Sequence, residues 1–362
     1  MFKRFACGRR VSLFRQFTAA LLVSGCVLVA SPLFAQVDLS NIKVGAGMKT
    51  SFVHTDPEVG TSTDQFLLNS ARIYVSGGVV ENIKFMFNTE YNGNSSQIGV
   101  LDAAARLEFK PEFNIWMGRM LPPSDRANMY GPYYAHHWNV FSDGVQNGHP
   151  SITIGGVPNF TGRANGIVYW GDFNEKVKLS VGAFDGASLT GNAKVLGAAR
   201  LQFNLMDSED GYYLNGTYYG DKNLFSIGGS TQVQSGKTAS NIDLLFEKKL
   251  SGGGVVTVES EYTNYNRLGG YVSGYKSQGA YALASYLFPQ KIGMGQIEVL
   301  GKYGSAQFTK GPTPSFRWET TEINATYVIK QFNARVVGFW MNQNVSNATD
   351  TWKGGLGLQI QM

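Results

Sequence analysis

The sequence predicts an all-β protein, a 16-stranded antiparallel transmembrane β-barrel with one long loop folded into its interior. Three observations predict it. Segments of about ten residues alternate apolar and polar side chains, with Gly, Asn and Asp clusters between them, the period of a strand with two unlike faces. No run of about 18 apolar residues occurs beyond residue 35, so no helix is predicted to cross a membrane. Aromatics recur near strand ends (Phe52, Tyr91, Trp116, Tyr169, Trp170, Tyr286, Phe288, Tyr327 and Trp340), as in a belt at a membrane–water interface. In lipid such a sheet must close, because an open edge leaves backbone groups unpaired in hydrocarbon.

In chain order, the first element is an address. Residues 1–35 carry Lys3, Arg4, Arg9, Arg10 and Arg15 and no acid, then an apolar stretch from Phe17 to Ala30, then Ser31-Pro32-Leu33-Phe34-Ala35. This is the pattern of a secretory signal peptide cleaved after Ala35, its apolar core of about 14 residues being short for a span. Both cysteines, Cys7 and Cys26, lie in it, which excludes a disulfide scaffold or a cysteine-ligated metal in the remainder. Removing its five basic residues from the total of 31 leaves 26, equal to the 26 acidic residues. The barrel domain, 36–362, is therefore formally neutral, without the basic balance of a nucleic-acid binder.

The first five strands are placed at about 41–54, 67–79, 83–92, 100–109 and 113–121. In the third, Ile83, Phe85, Phe87, Thr89 and Tyr91 oppose Lys84, Met86, Asn88, Glu90 and Asn92. In the fourth, Leu101, Ala103, Ala105, Leu107 and Phe109 oppose Asp102, Ala104, Arg106, Glu108 and Lys110. The longest connection, 122–161, follows, with Pro122-Pro123, Asp125, Arg126, Tyr130, Tyr133, Tyr134, His136, His137, Trp138, Asp143 and His149. Loops this long without regular structure are usually functional. It is expected to enter the lumen as a constriction loop, its aromatics anchoring it to the wall.

Strands at about 162–171, 176–186 and 195–206 come next. A further candidate, Tyr212–Tyr219, makes seventeen, whereas an antiparallel barrel with both ends on one side needs an even number. Short turns at 80–82, 110–112 and 172–175 stay in phase with those at 250–253, 289–294 and 330–331 only when this candidate does not span. The stretch 207–223 is read as an elongated turn. The remaining strands are placed at about 223–233, 240–249, 254–265, 277–288, 295–306, 318–329, 332–344 and 351–362. In the last, Leu356, Leu358, Ile360 and Met362 oppose Gly355, Gly357, Gln359 and Gln361, as suits a strand that closes on the first.

Sixteen strands enclose more width than side chains fill, so the lumen is aqueous. Its candidate lining is Arg72, Lys84, Arg106, Arg119, Arg163 and Arg200 from the first eight strands, with Arg126 and Asp143 from the loop. Arg72, Arg106 and Arg119 are the leading candidates for the opening. Acidic company on this half is Glu90, Asp102 and Glu108, while the later strands offer Asp243, Glu247, Glu259, Glu261, Glu298 and Glu322. A basic wall facing an acidic one makes a transverse field that favours hydrated solutes, and rows of Arg and Lys favour anions.

Several segments carry a family resemblance. Ala71-Arg72-Ile73-Tyr74-Val75-Ser76-Gly77, then Lys84-Phe85-Met86-Phe87-Asn88-Thr89-Glu90, resemble the phosphate-selective porins O and P and their shorter relatives. So do Leu107-Glu108-Phe109-Lys110-Pro111, Trp116-Met117-Gly118-Arg119 and Asn215-Gly216-Thr217-Tyr218-Tyr219-Gly220-Asp221-Lys222. The resemblance implies a 16-stranded outer-membrane porin, commonly trimeric, and a lumenal arginine ladder in which Arg72, Arg106 and Arg119 are the counterparts. Neutral charge and Glu90, Asp102 and Glu108 on the same wall speak against phosphate specificity.

The expected function is passive diffusion of small hydrophilic solutes and ions across a Gram-negative outer membrane, with a weak anion preference. The expected surroundings are outer-membrane lipid, lipopolysaccharide and two further copies of the chain in a homotrimer. No catalytic residue, cofactor, metal or nucleic acid is implied; His136 and His137 are adjacent and point apart rather than at one ion. The alternatives are a phosphate- or polyphosphate-selective anion channel and, further off, a barrel enzyme or adhesin.

Overall fold

A computed structural model describes residues 41–92, 97–146, 162–186, 194–269, 274–346 and 348–362. The predicted leader and residues 147–161 of the long loop, His149 among them, lie outside the described residues. The strands are β1 (Ile42–Pro57), β2 (Thr63–Val80), β3 (Ile83–Asn92), β4 (Gln97–Lys110), β5 (Phe113–Met120), β6 (Ala164–Phe173), β7 (Val177–Asp185) and β8 (Val195–Asn204). There follow β9 (Leu224–Gln234), β10 (Lys237–Lys249), β11 (Val255–Asn266), β12 (Lys276–Ile292), β13 (Gly295–Lys310), β14 (Thr313–Lys330), β15 (Ala334–Val345) and β16 (Thr351–Gln361). A single short helix, α1 (Arg126–Tyr130), stands among the described residues between β5 and β6.

Each strand pairs antiparallel with its sequence neighbours, and β1 pairs with β16 to close the barrel. Closure extends to the last residue: Ala46 N–H donates to the Met362 carbonyl at 3.1 Å and Met362 N–H to Ala46 at 2.9 Å. All sixteen predicted spans recur, and no strand lies between β8 and β9, as parity requires. One expectation fails. At the end of the barrel opposite the termini, the connections expected at 234–239 and 307–317 are shorter, since β9–β10 and β13–β14 turn there through two residues each. Ser235 and Gly236 both take positive φ, 53° and 75°, the conformation that matches a two-residue hairpin to strand twist. Gly311 likewise has φ 48° and is followed by Pro312, so β13 and β14 run taller than the sequence suggested.

Register decides what each face meets. The outward face exposes Val44, Ile73, Ile167, Val181, Leu201, Phe203, Ile242, Val299, Ile323 and Leu356, a band spread around the barrel. Isolated apolar side chains on a surface need no explanation, but a continuous girdle of them does, and hydrocarbon is the solvent that suits it. Outward rings gather near the strand ends: Phe113 lies 5.8 Å from Phe109 and 5.7 Å from Tyr169, and Tyr286 lies 4.9 Å from Phe288. Trp116 and Trp170 depart from the expected belt. They occupy the inward register with Asn114 and Val168 and are buried against each other at 6.0 Å.

The small inward residues of β16 have a structural reason. A Cβ on Gly357 would lie 2.3 Å from the Trp138 ring, which stacks on Phe339 at 6.0 Å beneath the Lys49 ammonium. The G357V variant is expected to keep the barrel and expel Trp138, costing about 1–3 kcal/mol of overpacking. Increased acrylamide quenching of tryptophan in the folded variant checks this; unchanged quenching would show that the indole does not need the seat.

Candidate functional site: the lumen and its two inward segments

The long loop begins with Asp125 capping α1, its side chain accepting from Asn128 N–H at 2.9 Å. From there its backbone is fastened to the inward faces of the wall. Pro123 and Ser124 carbonyls accept from Gln232 (2.9 Å) and Arg200 (3.2 Å). Pro132 and Tyr133 carbonyls accept from Lys49 (3.0 Å) and Gln359 (2.9 Å). Ala135 and His136 carbonyls both accept from Arg335, at 2.9 and 3.0 Å, and Ser142 accepts from Gln343 at 2.6 Å. A segment without ladder partners must satisfy its carbonyls somehow. Donors on β1, β8, β9, β15 and β16 do so here, which places the described part of the loop inside the barrel.

Loop side chains complete the attachment. Tyr130 donates to Glu259 at 2.8 Å, His136 pairs with Glu298 at 2.7 Å, and Asp143 pairs with Lys302 at 2.7 Å, which also meets His137 at 3.0 Å. The Arg72 guanidinium lies 4.2 Å from the centre of the Tyr133 ring. As expected, the two histidines diverge to different partners. Burial lowers the His136 imidazole but the Glu298 carboxylate more than offsets it, so the ring is held above its ordinary range. Burial and the Lys302 ammonium push His137 well below it.

A second segment enters from the other end. Residues 205–223, between β8 and β9, rise to meet the loop: Leu214 N–H donates to the Met129 carbonyl (3.2 Å), Gly216 N–H to Tyr134 (2.8 Å) and Tyr212 hydroxyl to Leu121 (2.7 Å). The segment is itself held by Glu247, which accepts from Thr217 hydroxyl (2.7 Å) and Gly220 N–H (2.8 Å). At the junction Arg126 grips Glu209 with two nitrogens, one at 2.9 Å, with Glu259 3.8 Å from its Nε. Both partners are fully buried. Burial pushes the Glu209 carboxyl up, but the adjacent Arg126 guanidinium overrides this and brings it down to about 2. Buried Asp125 is by contrast pushed up to about 6 by burial, despite its bonds from Asn128.

The sign of the acid response follows. A carboxyl lowered from 4.5 to about 2 adds stability that is complete above pH 4.5 and lost as pH falls through that window. Thermal midpoints of the wild type should drop between pH 4.5 and 2 more steeply than those of the E209Q variant, which lacks the titrating group. Parallel curves would remove Glu209 as the acid-sensitive fastening.

These contacts sort the predicted lining. Arg126, Asp143 and Arg200 do not line an opening; they are buried in pairs with Glu209, Lys302 and Asp243. Arg119 falls in register with Ile115 and Met117 on the outward face, its Nε donating to the Val100 carbonyl at 3.1 Å. Arg163 pairs with Asp102 at 2.9 Å, and Arg72 with Glu90. Lys84 and Arg106 remain in contact with water, their side chains 41% and 25% exposed while sharing Glu108. The expected acidic wall is also revised. Asp243, Glu247, Glu259, Glu261, Glu298 and Glu322 are all buried, most of them hydrogen-bonded to the two inward segments, so they present no charge to the opening.

Among the described residues, open space lies against the early strands, at the end carrying the termini. Two cavities of about 490 and 540 Å³ share Arg106. The first reaches to Trp116, Tyr212 and Tyr213, the second to Lys43, Ser76, Glu81 and Lys84. Residues 205–223 shape this space and were missed as a lumenal element. Their paired tyrosines spaced by Gly211, Gly216 and Gly220 were the available signal.

A closed sixteen-stranded barrel, with two segments fastened to its inward-facing side chains and a girdle of apolar ones outside, can now be set beside known structures. The anion-selective porin from Comamonas acidovorans superposes with a TM-score of 0.57 at 12% identity, over 89% of this chain and 99% of that one. The chain has the fold of a porin. Salmonella typhi OmpF, solved in complex with daunomycin, gives 0.58 at 13% identity over 89% and 98% of the two chains. The trimer form of OmpT, an outer membrane protein of Vibrio cholerae, gives 0.53 at 10% identity over 89% and 100%. The sequence matches no family model and no curated protein. At these identities the likeness is one of fold.

Proposed function

We propose that the chain is an outer-membrane porin, a water-filled channel for passive diffusion of small hydrophilic solutes and ions with a weak preference for anions. The observation that carries the reading is the water-exposed Lys84–Arg106 pair sharing one carboxylate, Glu108, inside a barrel whose outer face is apolar. Cations that outnumber their acidic partners in a confined lumen raise the local anion concentration. The loop 122–161 acts as the constriction, and 205–223 narrows the space from the other end. A signal peptide at residues 1–35 delivers the chain, which sits in lipid and lipopolysaccharide as a homotrimer, an assembly favoured by the trimeric form of the Vibrio relative. The chain carries no catalysis. A phosphate-specific ladder is the weaker reading, because Arg72 is engaged by Glu90 and Arg119 shares the outward register of Ile115 and Met117.

The test is the reversal potential of refolded protein in a planar bilayer under a KCl gradient. Stepwise conductance with an anion-selective sign is expected. Cation selectivity would sink the anion preference, and silence from a demonstrably folded barrel would sink the channel itself.

A further inference from the structure

We propose that the cavity between Arg106 and the rings of Trp116, Tyr212 and Tyr213 is a binding subsite for aromatic carboxylates. The inference rests on the channel reading and names a solute class for it.

The cavity, about 490 Å³, lies within the size range of small-molecule sites, and rings and methylenes make up much of its lining. An inorganic anion entering such a space loses hydration without gaining contacts from those rings. A solute with a ring recovers that loss, since buried apolar area contributes about 25 cal/mol per Å². The polar side of the cavity supplies the charge. Glu108 accepts from Arg106 Nε at 2.8 Å and from Lys84 at 2.9 Å, so one carboxylate faces two cations and one positive charge is left over. Arg106 contacts Glu108 through Nε and Nη2, which leaves its Nη1 edge for a second carboxylate. Its guanidinium lies 4.8 Å from the centre of the Trp116 ring, so charge and aromatic face are presented side by side.

The rings are held before any solute arrives. Trp116 lies 5.0 Å from Tyr212 and 5.8 Å from Tyr213, and its indole N–H donates to Glu108 at 3.1 Å. The Tyr212 hydroxyl is tied to Leu121 and the Tyr213 hydroxyl donates to Asp102 at 3.3 Å. Rings already ordered lose little further freedom on binding. The site exists because 205–223 folds inward: without that segment Arg106 would face open water.

The experiment titrates refolded protein in detergent with benzoate and, separately, acetate, reading intrinsic tryptophan fluorescence, and repeats both in a planar bilayer. Benzoate is expected to saturate with a Kd on the order of millimolar, with no saturation by acetate over the same range. R106Q is expected to weaken benzoate about tenfold, the loss of one charge-assisted bond. Y213A is expected to weaken benzoate and leave the response to acetate unchanged. K84Q, at a more exposed position, replaces R106Q if that variant does not fold, with weaker benzoate binding again expected. Equal responses to benzoate and acetate, or benzoate binding undiminished in both charge variants, overturns the subsite. The two readings fail separately: saturable benzoate binding without conductance defeats the channel and keeps the subsite, while conductance without saturable binding does the reverse.

Discussion

Replacing Arg126 with alanine should unfasten the lumen while leaving the barrel closed. Arg126 is the residue on which both inward segments converge, reaching Glu209 and the Asn215 carbonyl (3.0 Å) on one side and Glu259 on the other. Removing one member of a buried ion pair strands the other charge, typically at about 3–5 kcal/mol. The barrel wall does not depend on this pair, since its ladders run continuously from β1 to β16. R126A should therefore show a lowered thermal midpoint, higher conductance and greater current noise, with strand content by circular dichroism unchanged. The double variant R126M/E209M should recover much of the lost stability, because a well-packed apolar pair is often as stable as a buried ionic one. If R126A conducts as quietly as the wild type, the junction is not what narrows the lumen.

Reversing the charges at Lys84 and Arg106 should reverse ion selectivity. The opening holds Lys43, Lys84, Arg106 and Lys110 against Glu81 and Glu108, a surplus of two positive charges. The K84E/R106E variant leaves Lys43 and Lys110 against four carboxylates. The lining side chains border two cavities that share Arg106, so an ion in that space lies within about 8 Å, one Debye length at physiological salt, of several of them. The expected result is a change in sign of the reversal potential, largest at low salt. Reversing Arg119 instead should leave the sign unchanged, because that residue shares the register of Ile115 and Met117. A sign that survives the Lys84 and Arg106 reversals would place selectivity in the loop.

Much of the barrel was legible in the sequence because the strand period is local. Ile83, Phe85 and Phe87 against Lys84, Met86 and Asn88 state both a strand and its two faces, and parity removed Tyr212–Tyr219 without any contact being known. The same rule was available for Arg119, which alternates with Ile115 and Met117. Its charge suggested the lumen where its period gave the outward face. The heights of β13 and β14 were less legible, since Phe316 lies outside the span predicted at 318–329 until its pairing with Phe308 is seen.

Strand number, order, facing and the basic character of the early wall were determined by the sequence alone, since each follows from residues within a strand or its next neighbour. Which of those charges meet water was decided only by tertiary structure. Glu298 lies 162 positions from His136, and Glu209 lies 83 from Arg126. Such pairings depend on where two irregular segments settle inside the barrel, and no periodic pattern encodes that. A buried acid and a lumenal acid occupy the same register; the side chain packed over it is what removes its charge from the opening.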